Sequence, residues 1–292
     1  MFEIKLIGEV PTDTRARDLV LRAFVWGTAL VVAAAFVWLV GNLVWHGAPS
    51  LSWSFLTSVP THAGRGGGIA PILVSTILTV GVAIVVAAPL ALGTAALLSE
   101  FSAAGGRVAR LASLSLDVLA GVPSIVFGLF GNALFCVWLG LGFSILSGSL
   151  TLACMALPLM VRTAEQGLRM VPDEWRRAAA ALGMSRTAIL WHVLIPAATP
   201  ALSAGLVLGI GRAMAETAAL IFTSGYVDRM PASLWDSGRA LSVHIYDLTM
   251  NVAGGDPNAY ASALVLMALL TLVNSAALWL ADAVLQRRIS LG

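Results

Sequence analysis

Long unbroken apolar stretches, rather than an alternating pattern, dominate this chain. Six of them, at about 23–46, 70–98, 114–139, 148–166, 197–223 and 260–285, are long enough to cross a bilayer. A helix rises 1.5 Å per residue, so about 20 apolar residues span a hydrocarbon core of ~30 Å. Strand-like alternation of the barrel type does not recur. The pattern predicts an all-α integral membrane protein with six transmembrane helices. The first run follows Arg15, Arg17 and Arg22 and extends to Trp45. It exceeds the roughly 7–15 residues of a signal-peptide core and reads as a retained membrane helix.

Composition agrees. Of the 292 residues, 59% are hydrophobic and 11% charged, against roughly 25% charged in an average soluble protein; the mean hydropathy is +0.90. A soluble enzyme, a disordered chain and a nucleic-acid binder are disfavoured together. Cys136 and Cys154 fall within apolar runs and read as small buried hydrophobes. His46, His62, His192 and His244 show no metal-ligand spacing, so no metal is assigned.

Charge position predicts orientation. With the N-terminus inside, 13 Lys and Arg fall on the cytoplasmic side, and Arg65, Arg229 and Arg239 fall outside. Arg212 is left within a span. The bias follows the positive-inside rule and places both termini in the cytoplasm. Domain organisation follows: a cytoplasmic N-terminus at 1–22, a first helix and outer loop at 23–69, a five-helix core at 70–286, and a cytoplasmic C-terminus at 287–292. Gly64–Gly68, reading GRGGG, is a flexible linker by composition. Trp26, Trp45 and Trp279 read as interface anchors.

The 167–196 stretch is the only large cytoplasmic loop. Within it, VPDEWRRAAAALGMSRTAILWHVLIPAATP (171–200) predicts a helix from Glu174, stopped by Gly183. Ser185 caps a second helix over 186–194, and Pro196 separates that helix from the next span. An Ala-rich helix outside the hydrocarbon offers a smooth surface to a partner protein.

The same residues resemble the coupling, or EAA, loop of ABC importer permeases. Ala178-Ala179, three residues, Gly183, nine residues, Val193, one residue and Ile195-Pro196 keep that family's spacing. Arg177 stands where the family has Glu, and Glu174 lies one turn earlier on the same face. DVLAGVPSIVFGLFG at 117–131, GRAMAETAALIFTSG at 211–225 and LSVHIYDL at 241–248 are similar to stretches of the PstA-type phosphate permeases, a branch of the type I ABC importers.

The resemblance implies a non-enzymatic subunit of an inner-membrane phosphate importer. Its partners would be a PstC-type permease, a PstB-type ATPase dimer and a PstS-type periplasmic phosphate-binding protein. The chain has no GxxxxGK[ST] sequence, so ATP and Mg would be used by the partner ATPase, and no cofactor is expected on this chain. Coupling would rest on Glu174, Arg177, Ala178, Ala179 and Gly183. Three rival readings are a molybdate or sulfate permease, a secondary anion transporter, and a non-transporting phosphate-signalling subunit.

Arg212 and Glu216 are four residues apart, a spacing that predicts an ion pair on one helix face inside a span. An Arg there is costly and should face a bundle interior or a water-filled path. Its guanidinium fork matches the oxygens of phosphate. Glu216 would hold Arg212 when the path is empty, and Thr217 could add a hydrogen bond. Thr223 and Ser224 are expected to bond their own backbone. Asp117 is expected to pair with Arg110 or cap its helix. Pro123, with Gly121 and Gly128, should kink or tightly pack the third span. Asn132 and Asn274 are expected to bond between helices.

Overall fold

The computed structural model describes residues 12–102 and 106–289. Lys5, counted above among the cytoplasmic charges, lies outside the described residues. Four unbroken apolar runs become helices: α1 (Thr12–Gly47), α3 (Ala70–Ala96, ending in a π-helical turn Leu97–Phe101), α6 (Ile145–Met170) and α12 (Asp256–Ile289). A five-residue α2 (Trp53–Thr57) precedes α3.

The third run is not one straight span. It forms α4 (Arg107–Ala120) and α5 (Ser124–Gly131, continued by a π turn to Trp138), bent by 105°. Gly121-Val122-Pro123 lies at the break, where proline restricts its predecessor and supplies no N–H. Among the described residues, five helices are long and apolar enough to span on their own, and six spans result if this bent pair is one.

Packing explains which helices are central. The most apolar window of α6 is 67% buried and that of α1 0% buried. Ala83, Ala87, Ala91 and Ala95 recur every four residues on α3 and are all buried. Three of them share a core with Ala153, Ala156, Met160 and Ala164 of α6. Small side chains in register let the two backbones approach closely, a favoured mode of helix association in membranes. α1 is exposed along its apolar length, and its contacts are made with α12, where His46 stacks on Tyr260 at 5.1 Å. Trp26, Trp45 and Trp279 are exposed.

The GRGGG segment is a packed turn, not a flexible linker. Pro60–Thr61 (β1) and Gly66–Gly67 (β2) pair antiparallel, and Asn258 Nδ2 donates to the Gly64 carbonyl at 2.8 Å. Gly64 and Gly67 adopt φ of +89° and +74°, which explains glycine at both positions. The turn packs on α11 (Leu241–Met250), a helix that lies between the last two spans. There Arg239 pairs with Asp247 at 3.0 Å. Burial, with Arg239 adding repulsion, pushes His244 down to about 4.

A short helix, α10 (Ala218–Ile221), lies against α5. At Gly128 a Cβ would sit 2.9 Å from the Ala219 Cα, a backbone atom that cannot step aside. Gly128→Ala should therefore cost about 1–3 kcal/mol and lower the thermal unfolding midpoint in detergent. Gly93→Ala is the control, because nothing lies within 4 Å of a Cβ there. Equal midpoints for the two variants would show that the α5–α10 contact is not tight.

Candidate functional site

The coupling-loop residues form the helix pair expected. α6 stops before Val171-Pro172, and α7 (Asp173–Ala181) starts with Asp173 and Glu174 in its first turn, where acidic groups suit the helix dipole. Gly183, at φ +79°, ends it. The Gly183 N–H donates to the Ala180 carbonyl at 2.9 Å and the Met184 N–H to Ala179 at 3.2 Å, the paired bonds of a Schellman motif. Ser185 Oγ then accepts from Ala188 N at 3.3 Å and starts α8 (Arg186–Ile189).

Pro196 does not separate α8 from the next span. The helix runs on through a π turn, Leu190–Leu194, into α9 (Ile195–Ala215). Pro196 has no N–H for the carbonyl four residues earlier, and a widened turn beside it keeps the helix continuous. The second helix of the loop and the fifth span are thus one continuous helix, 186–215. Ala179, Ile189, Leu190 and Leu194 point into the α3–α6 core, whereas Glu174, Arg177, Ala178 and Gly183 are exposed.

Arg176, a residue that the sequence reading passed over, ties the loop to the bundle. Its Nη2 and Nε donate to the two carboxylate oxygens of Glu100 at 2.8 and 3.1 Å. It also donates to the Leu168 carbonyl at 2.7 Å and to Asp173 at 3.2 Å. The Leu168 contact occupies an end carbonyl of α6, and Glu100 sits on the π turn that ends α3. One guanidinium therefore joins α7 to two spans. The hydrogen bond to Glu100 holds it above the usual arginine range.

A second network lies beside it. Glu165, 6% exposed, pairs with Arg162 and Arg169, both at 3.0 Å. Arg162 reaches Asp117 at 2.6 Å and the Ser113 carbonyl at 2.8 Å on α4, and Arg169 reaches the Leu98 carbonyl at 3.1 Å on α3. Asp117 thus pairs with Arg162, not with Arg110. The signal was present in the sequence: Arg162, Glu165 and Arg169 have the 3-and-4 spacing of one helix face.

The expected Arg212–Glu216 pair is not made. α9 ends at Ala215, and Glu216 is extended (φ −79°, ψ 128°), so the two residues do not share a helix face. Arg212 is exposed on the last turn of α9. Glu216 turns to the following segment: Oε1 accepts from Ala219 N at 3.4 Å, and its carbonyl accepts from Ser242 Oγ at 2.6 Å. Thr217 lies half-buried at the break. Thr223 and Ser224 bond the carbonyls of Ala219 and Leu220, as expected. Asn132 donates to the Phe222 carbonyl at 2.8 Å and so bridges helices, whereas Asn274 Oδ1 is buried with no hydrogen-bond partner among the described residues.

Comparison with known proteins follows the same lines. Residues 87–290 match the model for "Binding-protein-dependent transport system inner membrane component". The chain is 32% identical over 269 residues to the "Probable ABC transporter permease protein YqgI" of Bacillus subtilis, covering 86% of this chain and 90% of that protein. It is 32% identical over 286 residues to "Phosphate transport system permease protein PstA 1" of Mycobacterium tuberculosis H37Rv, covering 94% and 90%. Among solved structures, the inward-facing MetNI methionine ABC transporter matches with a TM-score of 0.61 at 17% identity, over 74% of this chain and 95% of that one. A bacterial ABC transporter involved in alginate import matches with a TM-score of 0.61 at 10% identity, over 92% and 99%. The family match over most of the chain, on a fold shared with importer permeases, makes this chain a member of the binding-protein-dependent transport system inner membrane components, a multi-pass permease of the ABC importers.

Proposed function

We propose that this permease carries inorganic phosphate inward, paired with a homologous PstC-type permease. A PstS-type periplasmic protein delivers the anion, and a PstB-type ATPase pair supplies the work with ATP and Mg. Both termini lie in the cytoplasm, on the side of the coupling loop. The observation that carries the substrate is the match to PstA 1 over 94% of the chain. The exposed Arg212 beside a broken helix supports it, because a guanidinium fork suits a tetrahedral oxyanion.

In this reading, motor closure presses on α7 and α8. Since α8 and α9 are continuous, the push reaches the last turn of α9, where Arg212 sits, along one helix. Arg176 passes the same push to α3 and α6. Such rigid-body movement is a recognised route to alternating access. Arg212 contacts the passing anion, with Glu216 and Thr217 beside it at the break. Glu216 does not clamp Arg212 in this conformation; its side chain serves the first turn of α10.

The primary test is labelled-phosphate uptake in cells lacking this chain, with and without a restored copy, under excess sulfate or molybdate. Uptake that returns and ignores the competitors is expected; uptake that competes would overturn the substrate. Arg212→Lys keeps the charge and loses the fork. We expect it to weaken phosphate uptake about tenfold or more at limiting phosphate, in line with the loss of a charge-assisted hydrogen bond. Unchanged uptake would remove Arg212 from the path. Glu100→Gln strips the charge from the Arg176 contact. It should reduce uptake roughly tenfold while ATP hydrolysis by the assembled transporter persists, because a broken buried pair loosens the joint and not the motor. A parallel loss of both would mean that Glu100 serves assembly alone.

A further inference from the structure

Between α7 and α8 lies a cleft of about 240 Å³, lined by Glu100, Arg176, Arg177, Ala180, Arg186 and Ile189. It holds three guanidinium groups against one carboxylate. That carboxylate is already spent, since both Glu100 oxygens accept from Arg176. Arg177 and Arg186 are exposed and make no ion pair among the described residues. Glu174 stands one turn before Arg177 but is not within pairing distance of it. The cleft therefore carries two uncompensated positive charges beside an exposed Ala180 and a buried Ile189.

We infer that this cleft receives an Asp or Glu side chain of the ATPase partner, gripped between Arg177 and Arg186. The inference rests on the proposed coupling to an ATPase and specifies its chemistry. Two observations favour a protein carboxylate over a free anion. Outside the cleft, the same loop exposes Trp175 (52%) and Leu182 (83%), apolar groups that a protein partner covering the loop would bury and a small ion would leave in water. The two unpaired arginines also stand at the exposed edge of the cleft, whereas Ile189 and the Arg176–Glu100 pair close its inner side against the bundle. Two exposed arginines without an ion-pair partner among the described residues call for negative charge across the interface, which makes Arg177 and Arg186 determinants of which motor fits.

Carbodiimide coupling offers a direct test, because it joins an amine to a carboxylate with no spacer. The chain has one lysine of its own, Lys5, so Arg177→Lys and Arg186→Lys each introduce a well-isolated amine. The full transporter, with all partners co-expressed, would be treated in membranes and the linked peptides identified by mass spectrometry. We expect each variant to link to an acidic residue of the ATPase that is not linked at this position in the unaltered complex. Links only to Glu100 or Glu174 of this chain, or none while the ATPase is retained, would overturn the inference. Arg177→Glu with Arg186→Glu should lower the ATPase retained on purification roughly tenfold or more, and reversing the identified acidic residue should restore it. If the unaltered chain retains no ATPase, the proposed coupling itself fails, a separate outcome from loss confined to the variants.

Discussion

The contact between Arg176 and Glu100 is the joint on which the arrangement of the loop depends. A carboxylate at the end of a membrane span is costly to bury unless a cation and hydrogen bonds answer both its oxygens. Arg176 does so bidentately, and its remaining donors take up Asp173 and carbonyls at the end of α6. The price of satisfying one half-buried acid is thus a fixed geometry among three elements. α7 cannot tilt away from α3 or α6 without leaving Glu100 or a helix-end carbonyl unpartnered. A connecting segment that could have been a loose loop becomes part of the bundle.

The ion pairs and the helix irregularities divide the molecule in a consistent way. At the coupling-loop end, Asp117 and Glu100 pair with arginines of other helices, and Glu165 pairs along α6 with Arg162 and Arg169, which themselves reach α4 and the end of α3. Farther along, small residues take over: Ala87 and Ala91 pack with Ala153 and Ala156, where contact is close but carries no directional bonds. The break at 121–123 follows Asp117, the paired residue of α4, and α9, broken at 215–217, takes part in no ion pair among the described residues. Polar links that cross these breaks, Asn132 to Phe222 and Ser242 to Glu216, terminate on backbone carbonyls. Side-chain bonds to free carbonyls satisfy the broken helix ends that a membrane would otherwise penalise.

Much of this was legible in the residues. The long apolar runs located the spans, and Gly183 with Ser185 located the turn of the coupling loop, because these signals are local. What escaped were outcomes set by distant partners. A spacing of four between Arg212 and Glu216 implies one face only if the helix continues, and no proline or glycine marks the stop of α9 at Ala215. The stop is made up elsewhere, by Ser242 on α11, 26 residues further on. GRGGG read as a linker because glycine favours both flexibility and tight turns; the packing of α11 against the turn decides between them. Pro196 read as a boundary, but a π turn absorbs its missing donor. Arg176 and Arg177 are adjacent and chemically alike. Helical geometry sends one toward Glu100 and leaves the other exposed, a difference visible only once the far end of α3 is in place.

That division between neighbours explains how a reversed charge can be tolerated within the coupling motif. The structural duty of the loop falls on Arg176, Ala179 and Gly183: they bond, pack and turn, and none of these roles involves the side chain at 177. Arg177 is exposed, so its charge is not constrained by the bundle. In the proposed coupling, its identity answers to the partner across the interface. An exposed charge alone contributes little to stability. Set beside Arg186 over a cleft whose only carboxylate is already bound, it raises the local positive potential. The internal contacts hold the loop's shape while the outward charge is left to match a partner.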